Sequence, residues 1–119
     1  AYVGCVIVND DHRIVTTGYN GSIKGNPHCD EIGHTMREGH CIATIHAEMN
    51  ALLYCAKEGI AVNGCIAYVT HFPCLNCTKS LIQAGIKKIY YKEAYRVDEY
   101  ALKLLKDNNV DYIKIQMPE

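Results

Sequence analysis

The chain predicts an α/β fold: a three-layer α/β/α sandwich around a five-stranded mixed sheet. Three observations carry this. Two β-branched runs near the start are separated by a tight polar turn. Further strand-like runs then alternate with helical patterns that end at glycine or asparagine. Helical crossovers join the last three strands, and such connections make those strands parallel. At 119 residues and 49% hydrophobic content, one domain spanning residues 1–119 is large enough to bury a core without staples.

Residues 2–8 and 13–19 are the first two strands, and Asn9-Asp10-Asp11-His12 between them reads as a hairpin turn with His12 exposed at its tip. From Asn20 to about Thr44 the composition changes to glycine, histidine and charge, which predicts a long loop of the functional kind. Ala47 to Lys57 carries strong helix formers and stops at Gly59, and residues 66–70 form the next strand. Cys74 to Ala84 is a second helix ended by Gly85, followed by a strand from Lys88 to Tyr91. A third helical pattern runs from about Val97 to Asp107 with Asn108-Asn109 as its stop, and Val110 to Ile115 is the last strand. Cys5, Cys55 and Cys65 fall inside these patterns as small core residues. Ala1 leads directly into a strand-like run without an initiator Met, so a segment is expected upstream.

Formal net charge is −1, with both signs interspersed and no run of lysine or arginine, which argues against a bulk nucleic-acid partner. No apolar stretch approaches the roughly 20 residues of a membrane span, and no signal peptide is visible. Seven cysteines, several in apolar surroundings, suit a reducing cytoplasm better than a disulfide framework. Asn20 and Asn76 open chance glycosylation sequons.

The chemistry is concentrated in a split motif, His46-Ala47-Glu48 and Pro73-Cys74-Leu75-Asn76-Cys77. Each half alone is weak, since a lone C-x-x-C also serves as a redox pair or half of a zinc ribbon. Their conjunction matches the signature of zinc-dependent nucleobase deaminases. Catalytic zinc keeps three protein ligands and an open fourth position, which assigns the ligands to His46, Cys74 and Cys77. Two cysteines three apart at a helix start face one point, and the helix dipole favours their thiolate forms. His46 and Glu48, two apart, serve one site only from a helix mouth. Glu48 is then the proton carrier, base toward water and acid toward a departing amine. The bland reading is a structural zinc site with Glu48 or a further cysteine as its fourth ligand.

At these residues the chain resembles the deoxycytidylate (dCMP) deaminase family, specifically its bacterial and phage branch. The matching stretches are Gly18-Tyr19-Asn20-Gly21, Ile45 to Ala51, Tyr68 to Cys74, and Gln83 to Lys88, and the resemblance covers nearly the whole chain. It implies a cytidine-deaminase-like sandwich, one catalytic zinc, and hydrolysis of dCMP to dUMP with release of ammonia, supplying thymidylate synthesis. It places nucleotide contacts on Asn20, Ala47 and Tyr95; the bland alternatives are a turn residue for Asn20 and a core aromatic for Tyr95. It also implies a homo-oligomer, often a hexamer, activated by dCTP and inhibited by dTTP. The family's N-terminal helix and Ser-Thr-Cys stretch are absent here.

His28, Cys29, His34, His40 and Cys41 crowd the long loop. Phage relatives hold a second, structural zinc near this position, which maps loosely onto Cys29 and His40. His71 borders the split motif, and loop shaping is favoured for it over substrate contact. Two other functions stay open: a tRNA adenosine deaminase, which the balanced charge disfavours, and a catalytically idle, zinc-stabilised interaction protein, which an intact Glu48 speaks against.

Overall fold

The computed structural model describes residues 3–22, 36–37, 40–41 and 44–116. Strand β1 (Gly4–Val8) pairs antiparallel with β2 (Ile14–Tyr19) through the expected hairpin. The Asn9 side chain closes the turn by accepting from the Asp11 and Arg13 backbone N–H groups at 3.0 Å each, and His12 sits exposed in left-handed geometry. Asp10 at the tip also pairs with Lys87.

The stretch expected to be one long loop differs from that reading. Two short antiparallel ladders punctuate it: β3 (Gly21–Ser22) with β6 (Thr44–Ile45), and β4 (Met36–Arg37) with β5 (His40–Cys41). Two-residue strands carry no period, so hydrophobic patterning does not register them.

Helix α1 (Ala47–Glu58) follows, with Gly59 in left-handed geometry at its end. Then come β7 (Ile66–His71), α2 (Leu75–Ala84) closed by left-handed Gly85, β8 (Lys88–Glu93), α3 (Glu99–Asp107) and β9 (Asp111–Lys114). The third helix starts two residues later than the pattern suggested. The Asp98 carboxylate caps it, accepting from Tyr100 N–H at 2.8 Å and Ala101 N–H at 3.1 Å, which satisfies donors left bare in a first turn.

The five long strands form one mixed sheet in the order β2-β1-β7-β8-β9. β1 is antiparallel to both neighbours, while β7, β8 and β9 run parallel, as the crossovers required. Cys5 and Ile7 of β1, Ala67 and Val69 of β7, and Ile89 of β8 point to one face and join Ala51, Cys55, Leu81 and Leu105 of the three helices in a single core. All three described helices therefore lie on that face. The opposite helical layer of the expected sandwich is not among the described residues. On that second face Tyr68 and Tyr90 stack at 4.8 Å across the parallel pair. Cys5, Cys55 and Cys65 are buried thiols, as expected of core residues. No helix among the described residues is long and apolar enough to cross a membrane.

Candidate functional site

Two helix mouths meet at the site. His46 occupies the N-cap of α1 in extended geometry and makes no side-chain cap, so its imidazole is directed away from its own helix. Cys74 occupies the N-cap of α2, and its sulfur accepts the Cys77 N–H at 3.4 Å. His46 Nδ1 lies 3.5 Å from Cys74 Sγ and 3.4 Å from Cys77 Sγ. Among the described residues this is the one group of three with metal-ligand spacing, its donor atoms all within 4.8 Å of one another.

The donor set fits zinc. With bonds of about 2.0–2.3 Å, tetrahedral coordination puts ligand atoms about 3.5 Å apart, close to the two distances from His46. One imidazole and two thiolates also neutralise a dication.

Glu48 sits in the first turn of α1, only 3% exposed. Burial pushes its carboxyl above the ordinary range, and the charge of Cys74 adds to the rise; His46 and a hydrogen bond with Cys77 pull the other way. The Cys77 thiol hydrogen-bonds Cys74. Cys74 is held down to about 4, first by that bond and then by His46, while Cys77 is pushed up. The bond to Cys74 raises the imidazole of His46 in turn. A soft thiolate beside a buried carboxyl is a site for a metal and for proton transfer.

The remaining residues expected at the site are distributed around these mouths. Ala47, fully buried, begins α1. Asn20 follows β2, its N–H donating to Val3 C=O at 3.1 Å and its Oδ1 accepting from Val3 N–H at 3.3 Å, so it ties the end of β2 to the residue before β1. Tyr95 is 81% exposed, which removes the core-aromatic reading. Cys29 lies outside the described residues, and His40 is described only as a backbone position in β5.

Three supporting residues escaped sequence reasoning. Asn50 Nδ2 donates to Tyr19 C=O at 2.6 Å and the buried Thr16 hydroxyl donates to Ala51 C=O at 3.2 Å, tying α1 to β2. Thr70 Oγ1 accepts the Gly4 N–H at 2.9 Å, donates to Gly4 C=O at 3.5 Å and lies 3.0 Å from His71 Nδ1 at the end of β7. Polar residues at these positions look like ordinary surface choices until the helix is docked. The glycine at 18 inside a strand pattern was the one available signal of close backbone approach.

The family model described as the cytidine and deoxycytidylate deaminase zinc-binding region matches residues 1–93. The chain is 48% identical over 117 residues to ComE operon protein 2 of Bacillus subtilis, covering 98% of this chain and 61% of that protein. It is 34% identical over 131 residues to the deoxycytidylate deaminase of enterobacteria phage T2, covering 78% of this chain and 69% of that one. Among solved structures, the dCMP deaminase of cyanophage S-TIM5 in complex with dCMP and dUMP superposes with a TM-score of 0.79 at 32% identity, over 95% of this chain and 80% of that one. The chain thus spans less than two thirds of the Bacillus protein, and 36% of the yeast deoxycytidylate deaminase to which it is 35% identical.

Proposed function

This chain belongs to the cytidine and deoxycytidylate deaminase family, and from that premise we propose that it hydrolyses dCMP to dUMP with release of ammonia. The observation that carries the reading is a buried carboxyl, Glu48, at the same helix mouth as the His46, Cys74 and Cys77 donors. A buried carboxyl beside three metal donors is the arrangement a proton carrier needs, and three protein donors leave the fourth position for water. The relative solved with dCMP and dUMP adds the substrate class.

His46, Cys74 and Cys77 would hold the zinc, which when bound supplies a Lewis acid that lowers the pKa of water and leaves one position open. Glu48 accepts the proton of the attacking water at its carboxylate and delivers it to ring N3 of the cytosine, which makes C4 electrophilic. Once the water oxygen has bonded to C4, Glu48 takes the remaining proton of that new hydroxyl and hands it to the exocyclic amine; the C4–N bond breaks as C4=O forms, so that water and dCMP become dUMP and ammonia. Its burial suits both tasks, because desolvation makes a carboxyl hold a proton more readily than it does in water. Asn20, Ala47 and Tyr95 are the proposed nucleotide contacts. The dUMP so formed supplies thymidylate synthesis. The resemblance also supports a homo-oligomer that answers to dCTP and dTTP.

Purified protein loaded with zinc, given dCMP, cytidine and an RNA hairpin in turn, tests the reading by ammonia release and the ultraviolet shift of the pyrimidine. Turnover of dCMP above the other two is expected. No turnover of dCMP by the full-length, zinc-loaded protein would sink it.

A further inference from the structure

The parallel strands β7 and β8 end side by side, with His71 in register with Glu93 and the Phe72 N–H donating to Glu93 C=O at 2.8 Å. Two residues beyond Glu93, Tyr95 comes to rest against His71, ring centroids 5.4 Å apart and tilted by 34°. Tyr95 has almost no other cover, being 81% exposed, so the imidazole is its backing surface. Ligands of α/β sheets gather at the carboxyl ends of parallel strands, which is where this pair stands. β7 also leads directly into Cys74. Three residues of chain put the Cα atoms of His71 and Cys74 within about 11 Å of each other.

His71 is itself held in place. Thr70 Oγ1 lies 3.0 Å from His71 Nδ1, and the same oxygen accepts the Gly4 N–H of β1 at 2.9 Å. The Thr70 hydroxyl is itself tied to β1 through both the N–H and, at 3.5 Å, the C=O of Gly4, so the group that meets His71 Nδ1 is held by the sheet. A chain of contacts thus runs from β1 through Thr70 and His71, at the strand end that leads into Cys74, to an exposed tyrosine.

We propose that His71 is a positioning residue that holds the Tyr95 ring against the nucleotide, a role that rests on the dCMP reading above. The imidazole fixes the plane of a side chain that otherwise swings free in solvent. A ring so fixed meets the nucleotide without losing its freedom on binding.

The test is a double-mutant cycle on the zinc-loaded protein with His71→Ala, Tyr95→Ala and the pair, read both as KM for dCMP and as calorimetric Kd for dUMP, which needs no turnover. Each single change is expected to weaken both constants by about two- to tenfold, the range of an aromatic pair. The double variant is expected to be no worse than Tyr95→Ala, because His71 acts through that ring. His71→Phe, which keeps a ring face, is expected to recover most of the loss, and His71→Gln is not. Should His71→Ala lose its zinc, the Phe and Gln variants carry the same comparison. Additive losses, equal rescue by Phe and Gln, or unchanged constants in His71→Ala would overturn the proposal while leaving dCMP turnover by the wild-type chain intact. Absence of that turnover would instead overturn the function, and the proposal with it.

Discussion

Gly18 of β2 and Ala47 of α1 meet backbone to backbone: a Cβ on Gly18 would fall on the Ala47 carbonyl oxygen and within 2.7 Å of the Ala51 nitrogen. The helix that follows His46 and carries Glu48 can lie this close to the sheet only where the strand has no side chain. A glycine in the middle of a strand ordinarily weakens it. Here it sets the depth of the helix mouth that carries His46 and Glu48.

Gly18→Ala is accordingly expected to destabilise the protein by about 2–3 kcal/mol, the cost of forcing extra volume between packed backbones. Neither obstructing atom can rotate away, because both are main chain. Urea unfolding gives the stability, and zinc content measured on the folded fraction gives the site. A fall in stability together with weaker zinc retention is the expected pair, since lifting α1 also shifts His46. Full stability in Gly18→Ala would show that the helix rides higher than described.

Among the described cysteines, alkylation of the chelator-treated protein is expected to begin at Cys74. At pH 7 this thiol stands above its pKa of about 4 and is ionised, and it is exposed. Cys5 is buried and pushed up to about 12, so at the same pH it keeps its proton and stays inert. The thiolate is the reactive form. Peptide mapping after a short iodoacetamide pulse reads the order, and zinc added before the pulse is expected to protect Cys74. Labelling of Cys5 first would contradict the burial of β1.

What could be read from the residues follows from how far each signal reaches along the chain. The zinc ligands and Glu48 stand on local spacing at helix starts, so their grouping needed only the two helices to converge. Gly59, Gly85 and Asn109 adopt left-handed geometry after the helices they close, a stop visible in the residue type itself. The contacts of Thr70 and Asn50 were invisible because their partners, Gly4 and Tyr19, are distant in sequence and join only through sheet and helix docking. The two small ladders between Gly21 and Ile45 escaped because two-residue strands leave no alternation to detect.

Asp98→Ala separates fold stability from the metal site. Its carboxylate caps α3, accepting from two first-turn N–H groups, and α3 contributes no candidate zinc ligand. Loss of such a cap costs about 1 kcal/mol. Thermal unfolding of the zinc-loaded protein is expected to shift downward by that amount with zinc content unchanged. Loss of zinc in this variant would mean that α3 supports the ligands more directly than its position implies.

Glu48→Gln distinguishes a catalytic from a structural zinc site. Glutamine matches glutamate in shape, so the buried pocket at the mouth of α1 remains filled. An amide cannot carry the proton that dCMP hydrolysis requires. Turnover is therefore expected to fall by about 10²–10⁴-fold, the usual share of a general acid and base. Zinc content is expected to match that of the unaltered chain, because His46, Cys74 and Cys77 keep their donors. Cys77→Ser gives the contrast: it exchanges a soft thiolate for a hydroxyl and is expected to lose zinc and activity together. Metal analysis beside the ammonia assay measures both variants. Loss of zinc from Glu48→Gln would identify Glu48 as a fourth ligand and turn the site into one that only holds the two helices together.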